Sequence, residues 1–90
     1  MLPLIWHPEA LDDLERIVDF IVARNPSAAE RTGIAIRHSA DRLPDHPYMH
    51  RIGRVPGTRE AVVTPNYIIV YRVTQIIEIL AVKHTRQQYP

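Results

Sequence analysis

The chain opens on a short apolar run and then changes period. Residues 2–6 read as a strand closed by Pro8. Beyond it Ala10, Leu11, Leu14, Ile17, Val18 and Ile21 recur at intervals of three and four, one face of an α-helix. Pro8 suits its first turn, where no N–H is needed. Glu9, Asp12 and Asp13 set negative charge at the positive end of the helix dipole. Asn25-Pro26 stops this helix, because the residue before a proline is pushed out of the α region. The same pair starts the next one, with Asn25 as N-cap and Pro26 at the first helical position. Ala29, Thr32, Ile36, Ala40 and Leu43 form its weaker stripe. Gly33 inside that stripe costs about 1 kcal/mol relative to Ala, which close packing of the two helices would offset. Leu43-Pro44 ends the second helix, so the pair forms an antiparallel hairpin.

Residues 44–57 are rich in Pro and Gly and read as loop, with room for a short strand near residues 51–55. The pattern then turns to strands. Residues 58–64 alternate and are β-branched, Pro65-Asn66 is a turn, residues 67–73 are a dense aromatic and β-branched run, Thr74-Gln75 is a tight turn, and residues 76–84 form the last strand. Strands adjacent in sequence pair as an antiparallel meander. The prediction is an α+β fold in one domain, residues 1–90: strand, two-helix antiparallel hairpin, then a three- to four-stranded mostly antiparallel sheet, with the helices on one face. Alternation places Ile69, Tyr71 and Val73 on one side of their strand and Ile68, Val70 and Arg72 on the other. By the same count Glu78, Leu80, Val82 and His84 share a side of the last strand.

At 90 residues with 46% hydrophobic and 23% charged positions, the chain has enough apolar surface to exclude a wholly disordered state. The absence of cysteine excludes a disulfide scaffold and any thiolate metal site. The longest apolar run, residues 67–71, is too short to span a bilayer. The N-terminus has no basic segment of the secretory type, so a cytoplasmic location is expected. Net charge is only +1, but it is unevenly spread. Residues 1–45 carry five Arg against eight Asp and Glu; residues 46–90 carry five Arg and one Lys against two Glu, with three histidines. Ten of the eleven basic residues are Arg, whose planar fork suits phosphate and carboxylate.

The basic second half supplies the candidate chemistry: Arg51, Arg54 and Arg59 in and after the loop, Arg72 in the sheet, and Lys83, His84 and Arg86 near the end of the last strand, followed by Tyr89. If the meander brings the last strand's end to Arg59, an Arg, a His and a Tyr can hold a phosphodiester and move protons. The same residues can equally meet an acidic protein surface. His46 and His50 stand four apart, but Pro47 lies between them in a loop and no carboxylate motif accompanies them, so a metal reading is poor. Glu60 points away from its neighbour Arg59 and reads as an exposed salt-bridging residue. Trp6 reads as packing. There is no Gly-rich phosphate loop, nucleophile elbow or sign of a cofactor.

The wording and order of these elements resemble the RelE/ParE superfamily of bacterial toxins, the toxic halves of type II toxin–antitoxin modules, also known as plasmid stabilisation proteins. The resemblance covers nearly the whole chain: WHPEALDDLERIVDFI, then LPDHPYMHRIGRV, GTREAVV, NYIIVYRV and IEILAVKHTRQQYP. It implies a growth-inhibiting toxin held inactive by a cognate antitoxin that wraps it with a helix and extended segments, the two forming a hetero-oligomer, or a toxin dimer. Two mechanisms are implied as alternatives. RelE-like members cut mRNA in the ribosomal A site; ParE-like members poison DNA gyrase. The strand arginine of RelE matches Ile68 here, and the catalytic aspartate of the YafQ-like pattern falls on Asn66, while His84 falls at that pattern's C-terminal histidine and at a histidine common among ParE proteins. A nuclease would therefore rest on Arg59, His84, Arg86 and Tyr89, with Arg51, Arg54, Arg72 and Lys83 left for partner binding. The short Asn-Pro junction of the hairpin is more ParE-like, so the expectation leans to a gyrase-directed toxin, with a ribosome-dependent endoribonuclease as the alternative. A non-toxic protein-binding relic is a third reading, and a salt-sensitive nucleic-acid-binding domain a fourth.

Overall fold

A computed structural model describes residues 2–90. Strand β1 (Leu4–Trp6) leads into helices α1 (Pro8–Val22) and α2 (Pro26–Asp41), a 3-10 turn (Leu43–Asp45), and strands β2 (Arg51–Ile52), β3 (Arg59–Thr64), β4 (Tyr67–Val73) and β5 (Ile77–His84). The sheet order is β1-β5-β4-β3-β2. The last four strands form the expected antiparallel meander, and β1 joins its far edge parallel to β5. A parallel neighbour needs a crossover, and here the connection from β1 to β5 runs through the helical hairpin and then the other three strands.

Local chemistry sets the hairpin as the sequence predicts. Pro8 and Pro26 open the two helices, and the Asn25 side chain accepts a hydrogen bond from the Ala28 N–H at 3.1 Å. A methyl group on Gly33 would meet Val18 Cγ2 at 3.4 Å, so the helices approach closely at that point. α1 lies over β5 and α2 over β3. Ala10, Leu14, Ile36, Ala40 and Leu43 from the helical layer meet Ala61, Ile69, Tyr71, Ile77, Ile79 and Val82 from the sheet to form the core. No helix among the described residues is long and apolar enough to cross a membrane.

The last strand departs from simple alternation. Val70 pairs with Ala81 but Tyr71 pairs with Ile79, so Leu80 is an extra residue in β5. This bulge reverses the side-chain phase. Ile77 and Ile79 face the helices before it, Val82 faces them after it, and Glu78 lies on the opposite face from Val82 and His84. The shared side predicted for Glu78, Leu80, Val82 and His84 is therefore corrected, and a one-residue insertion is invisible to a count of alternate positions.

The bulge also explains Asp13. β1 pairs with β5 only as far as Ile79, so beyond that point β5 has no strand on this side. The Val82 N–H is instead taken by the Asp13 carboxylate at 3.0 Å, a buried bond from α1 to the sheet. Asp13 does more than complement the helix dipole: it closes a sheet edge. Leaving that buried N–H without an acceptor costs about 1–3 kcal/mol. Asp13→Ala is accordingly expected to lower stability by about that amount in urea unfolding at neutral pH, and an unchanged midpoint would mean the bond contributes nothing.

Candidate functional site

The sheet face turned away from the helices carries Glu60 and Val62 of β3, Ile68, Val70 and Arg72 of β4, and Glu78, Ala81 and Lys83 of β5. Glu60 organises it. Its side chain is 2% exposed, and a carboxylate so placed needs donors on both oxygens. Arg51, directly opposite on β2, donates from Nε at 3.0 Å and from its terminal nitrogen at 2.8 Å to one oxygen. The other oxygen receives the Arg54 backbone N–H at 3.1 Å, the Arg54 Nε at 3.3 Å and the Tyr89 hydroxyl. The Arg54 guanidinium sits over the Tyr89 ring, 4.3 Å from its centroid.

The backbone around this carboxylate is shaped to deliver those donors. A Cβ on Gly53 would fall 2.2 Å from Thr58 Oγ1, so only glycine allows the close approach that pairs the Gly53 N–H with the Thr58 carbonyl at 2.8 Å. Gly57 turns the chain at φ +83°. Thr58 bonds back to the Val55 carbonyl. The loop is thereby closed on itself, with the Arg54 N–H aimed at Glu60. The tail is delivered from the other end. Thr85 bonds to the carbonyls of Pro65 and Asn66, and the Gln87 N–H to the His84 carbonyl. The chain then crosses the face to Glu60, where Ile68 and Val70 are buried although they point away from the helices.

Burial alone would raise the Glu60 carboxyl, but the bonds from Tyr89, the Arg54 N–H and Arg51 together hold it below its ordinary value. Burial and the bond to Glu60 push the Tyr89 phenol up to about 12. Farther along the same face Arg72 forks onto Glu78 with two 3.0 Å bonds, and His7 bonds Glu78 at 3.0 Å. The bonds from Arg72 and then His7 draw the Glu78 carboxyl down to about 2. Lys83 lies on this face without a carboxylate partner among the described residues.

The structure thus gathers Arg51, Arg54, Arg72 and Lys83 on one face, together with Tyr89. It does not gather Arg59, His84, Arg86 and Tyr89. Arg59 pairs across strands with Tyr71 on the helix side, and its guanidinium donates to the carbonyls of Tyr48 at 3.1 Å and His50 at 2.8 Å. His84 pairs with Tyr67, edge-on at 5.3 Å between ring centroids, and its Nδ1 accepts the Arg86 N–H. Tyr67 and Tyr71 are four residues apart on β4, about 13 Å at strand rise, so the end of the last strand lies near Thr64 rather than near Arg59. Arg86 is exposed. The sequence reading also assigned Glu60 an exposed role, whereas it is buried. The signal for the correct reading was present in Arg51, Arg54 and Glu60: an R-x-x-R pair across a Gly-bracketed loop from a lone acidic residue in a strand. Alternation separates Glu60 from Arg59, but it does not say which face the tail covers.

With this geometry in view, the relatives of the chain are informative. Residues 4–89 match the family described as the ParE toxin of the type II toxin–antitoxin system parDE. The chain is 40% identical over 86 residues to the candidate toxin Y4kP of Sinorhizobium fredii, covering 94% of this chain and 90% of that protein. It is 34% identical over 85 residues to toxin RelE2 of Caulobacter vibrioides, covering 93% and 96%. Among solved structures it superposes with TM-score 0.85 at 26% identity on a chain of the chromosomal ParDE system of P. aeruginosa, covering 93% of this chain and 96% of that one. The protein belongs to the ParE toxin family of type II toxin–antitoxin systems, within the RelE/ParE superfamily.

The depressed carboxyls define an acid limit. Glu60 and Glu78 both titrate below their ordinary 4.5 in the folded chain, so the stability they contribute is full above that value and is lost as pH falls through the folded values. Glu60→Gln is expected to lower stability by about 1.5–3 kcal/mol at neutral pH, the range for hydrogen bonds to a charged group. Its deficit against wild type should shrink toward pH 2. A deficit that is the same at both pH values would contradict the assigned ionisation.

Proposed function

We propose that this chain is a growth-inhibiting toxin, neutralised by a cognate antitoxin, whose target is DNA gyrase rather than ribosome-bound mRNA. The antitoxin partner is supported by the neighbours: the P. aeruginosa structure is of a ParDE toxin–antitoxin system, and a complex of RelBE2 from Mycobacterium tuberculosis shares the fold at TM-score 0.62 and 20% identity. The groove between α1 and α2, about 590 Å³ and bordered by the exposed Leu11 and Ile34, offers an apolar strip to such a partner. Acidic side chains of the antitoxin would find Arg86 and Lys83 more available than Arg59, which two carbonyls already engage.

One observation carries the choice of target. Phosphodiester cleavage needs a proton-transfer group and a cation at the same phosphate. Arg59 and His84 sit at opposite ends of β4 on the helix side, and Tyr89 is bound to a carboxylate on the other face. A phenol pushed up to about 12 is also a poor base at neutral pH. The competing reading, a ribosome-dependent endoribonuclease, draws support from the 34% identity to toxin RelE2 and from the ribosome's capacity to position RNA itself.

Two assays with the purified toxin separate the readings. The expected result is inhibition of gyrase supercoiling, with accumulation of cleaved DNA. Primer extension on mRNA in a purified translation reaction should show no toxin-dependent cut. Codon-phased cleavage with gyrase unaffected would overturn the proposal, and His84→Ala and Tyr89→Phe would then be the first nuclease variants to compare.

A further inference from the structure

On the helix side, at the outer edge of β3, a cleft of about 330 Å³ opens between α2 and residues 46–50. Its polar lining is His38, Ser39 and Arg42 from α2 and His46 and His50 from the loop; Met49 and Val63 form an apolar side. Three of the chain's five histidines and one arginine therefore line one cleft, and neither the groove between α1 and α2 nor the open sheet face includes them.

We propose that this cleft binds a phosphate monoester, with Arg42 as the fixed cation, the three imidazoles and the Ser39 hydroxyl as further donors, and the apolar side receiving the organic group of a small nucleotide. Charge supports an anion. No carboxylate among the described residues lies within salt-bridge distance of Arg42, His38, His46 or His50. The exposed Asp41 and Asp45, neighbours in sequence, make no such pair. The C-terminus of α2 contributes only about half a negative charge, less than Arg42 alone supplies. The volume lies at the small end of ligand pockets.

The loop side of the cleft is held in advance. Arg59 binds the carbonyls of Tyr48 and His50, Tyr71 donates its hydroxyl to the Pro47 carbonyl at 2.7 Å, and the His50 ring stands edge-on to Tyr71 at 6.1 Å. Burial, then His46, then Arg42 hold His50 below its ordinary value. An arriving dianion reverses that repulsion, so binding takes up a proton and strengthens as pH falls through the histidine range. His50 is faced by His46 and Arg42 in the cleft and by Arg59 and Tyr71 behind the loop.

The test is proton NMR of the five histidine rings in the whole toxin, titrated separately with inorganic phosphate, sulfate, adenosine monophosphate and adenosine. Saturable shifts of His38, His46 and His50, with His7 and His84 unmoved, are expected for the three anions and not for adenosine. Tighter binding of the nucleotide than of phosphate is expected, and equal binding would overturn the role given to the apolar side. Sulfate, a dianion throughout, should bind more tightly at pH 6 than at pH 8 through the protein's own protons. Arg42→Gln should weaken binding about tenfold or more, as expected for loss of a charge-assisted bond. His46→Asn, at a second exposed position, guards against a folding artefact if its methyl spectrum is unchanged. Absence of saturable shifts at millimolar anion, or identical binding by Arg42→Gln, would overturn the assignment.

Discussion

A carboxylate removed from water must be surrounded by donors or give up its charge, and the arrangement of the open sheet face follows from how Glu60 meets that requirement. Its donors come from three separate segments: β2 through Arg51, the following loop through Arg54, and the tail through Tyr89. None of these segments has much apolar area of its own to bury. β2 is two residues long, with both side chains exposed, and residues 85–90 are mostly polar. A single buried acceptor in β3 ties them to a sheet that the hydrophobic core already holds. Asp13 plays the corresponding part on the other side, where its carboxylate closes the edge of β5 beyond the bulge.

The two faces of the sheet are consequently unlike in kind. The helix side is held by packing among Leu14, Ile36, Leu43, Ile69, Tyr71 and Ile79. The open side is held by charge and hydrogen bonds, and its cations are largely committed within the chain: Arg51 and Arg54 to Glu60, Arg72 to Glu78. A partner on this face meets Lys83, and beyond it must either accept the remaining donors of these arginines or displace Tyr89. That constraint gives the Gly53-Arg54 pair a physical meaning. Gly53 permits the close approach to Thr58, and Arg54 follows it onto the carboxylate.

Much of the fold was legible in sequence because each signal was local. The Asn25 cap, the prolines at both helix starts and the alternation of residues 67–73 need no distant partner, and all appear in the structure. The parallel placement of β1, the bulge at Leu80 and the buried state of Glu60 depend on residues distant in the chain: β5 for the first, Asp13 alongside the second, Tyr89 for the third. The candidate site divided in the same way. Arg51, Arg54 and Arg72 share a face because alternation and the short β2–β3 connection place them there, whereas Lys83 joins them only through the bulge at Leu80. The proposed grouping of Arg59 with His84 required a strand register, and the register sets His84 opposite Tyr67 instead.

Glu60 holds the tail and the Arg54 loop on the sheet. Backbone amide hydrogen exchange of wild type and Glu60→Gln, compared residue by residue at neutral pH, tests it most directly. Faster exchange is expected in the variant at Arg54 and through residues 85–89, with β4 and the two helices unchanged. Equal protection of the tail and the loop in both proteins would contradict it, and would mean that these segments are held by contacts other than the buried carboxylate.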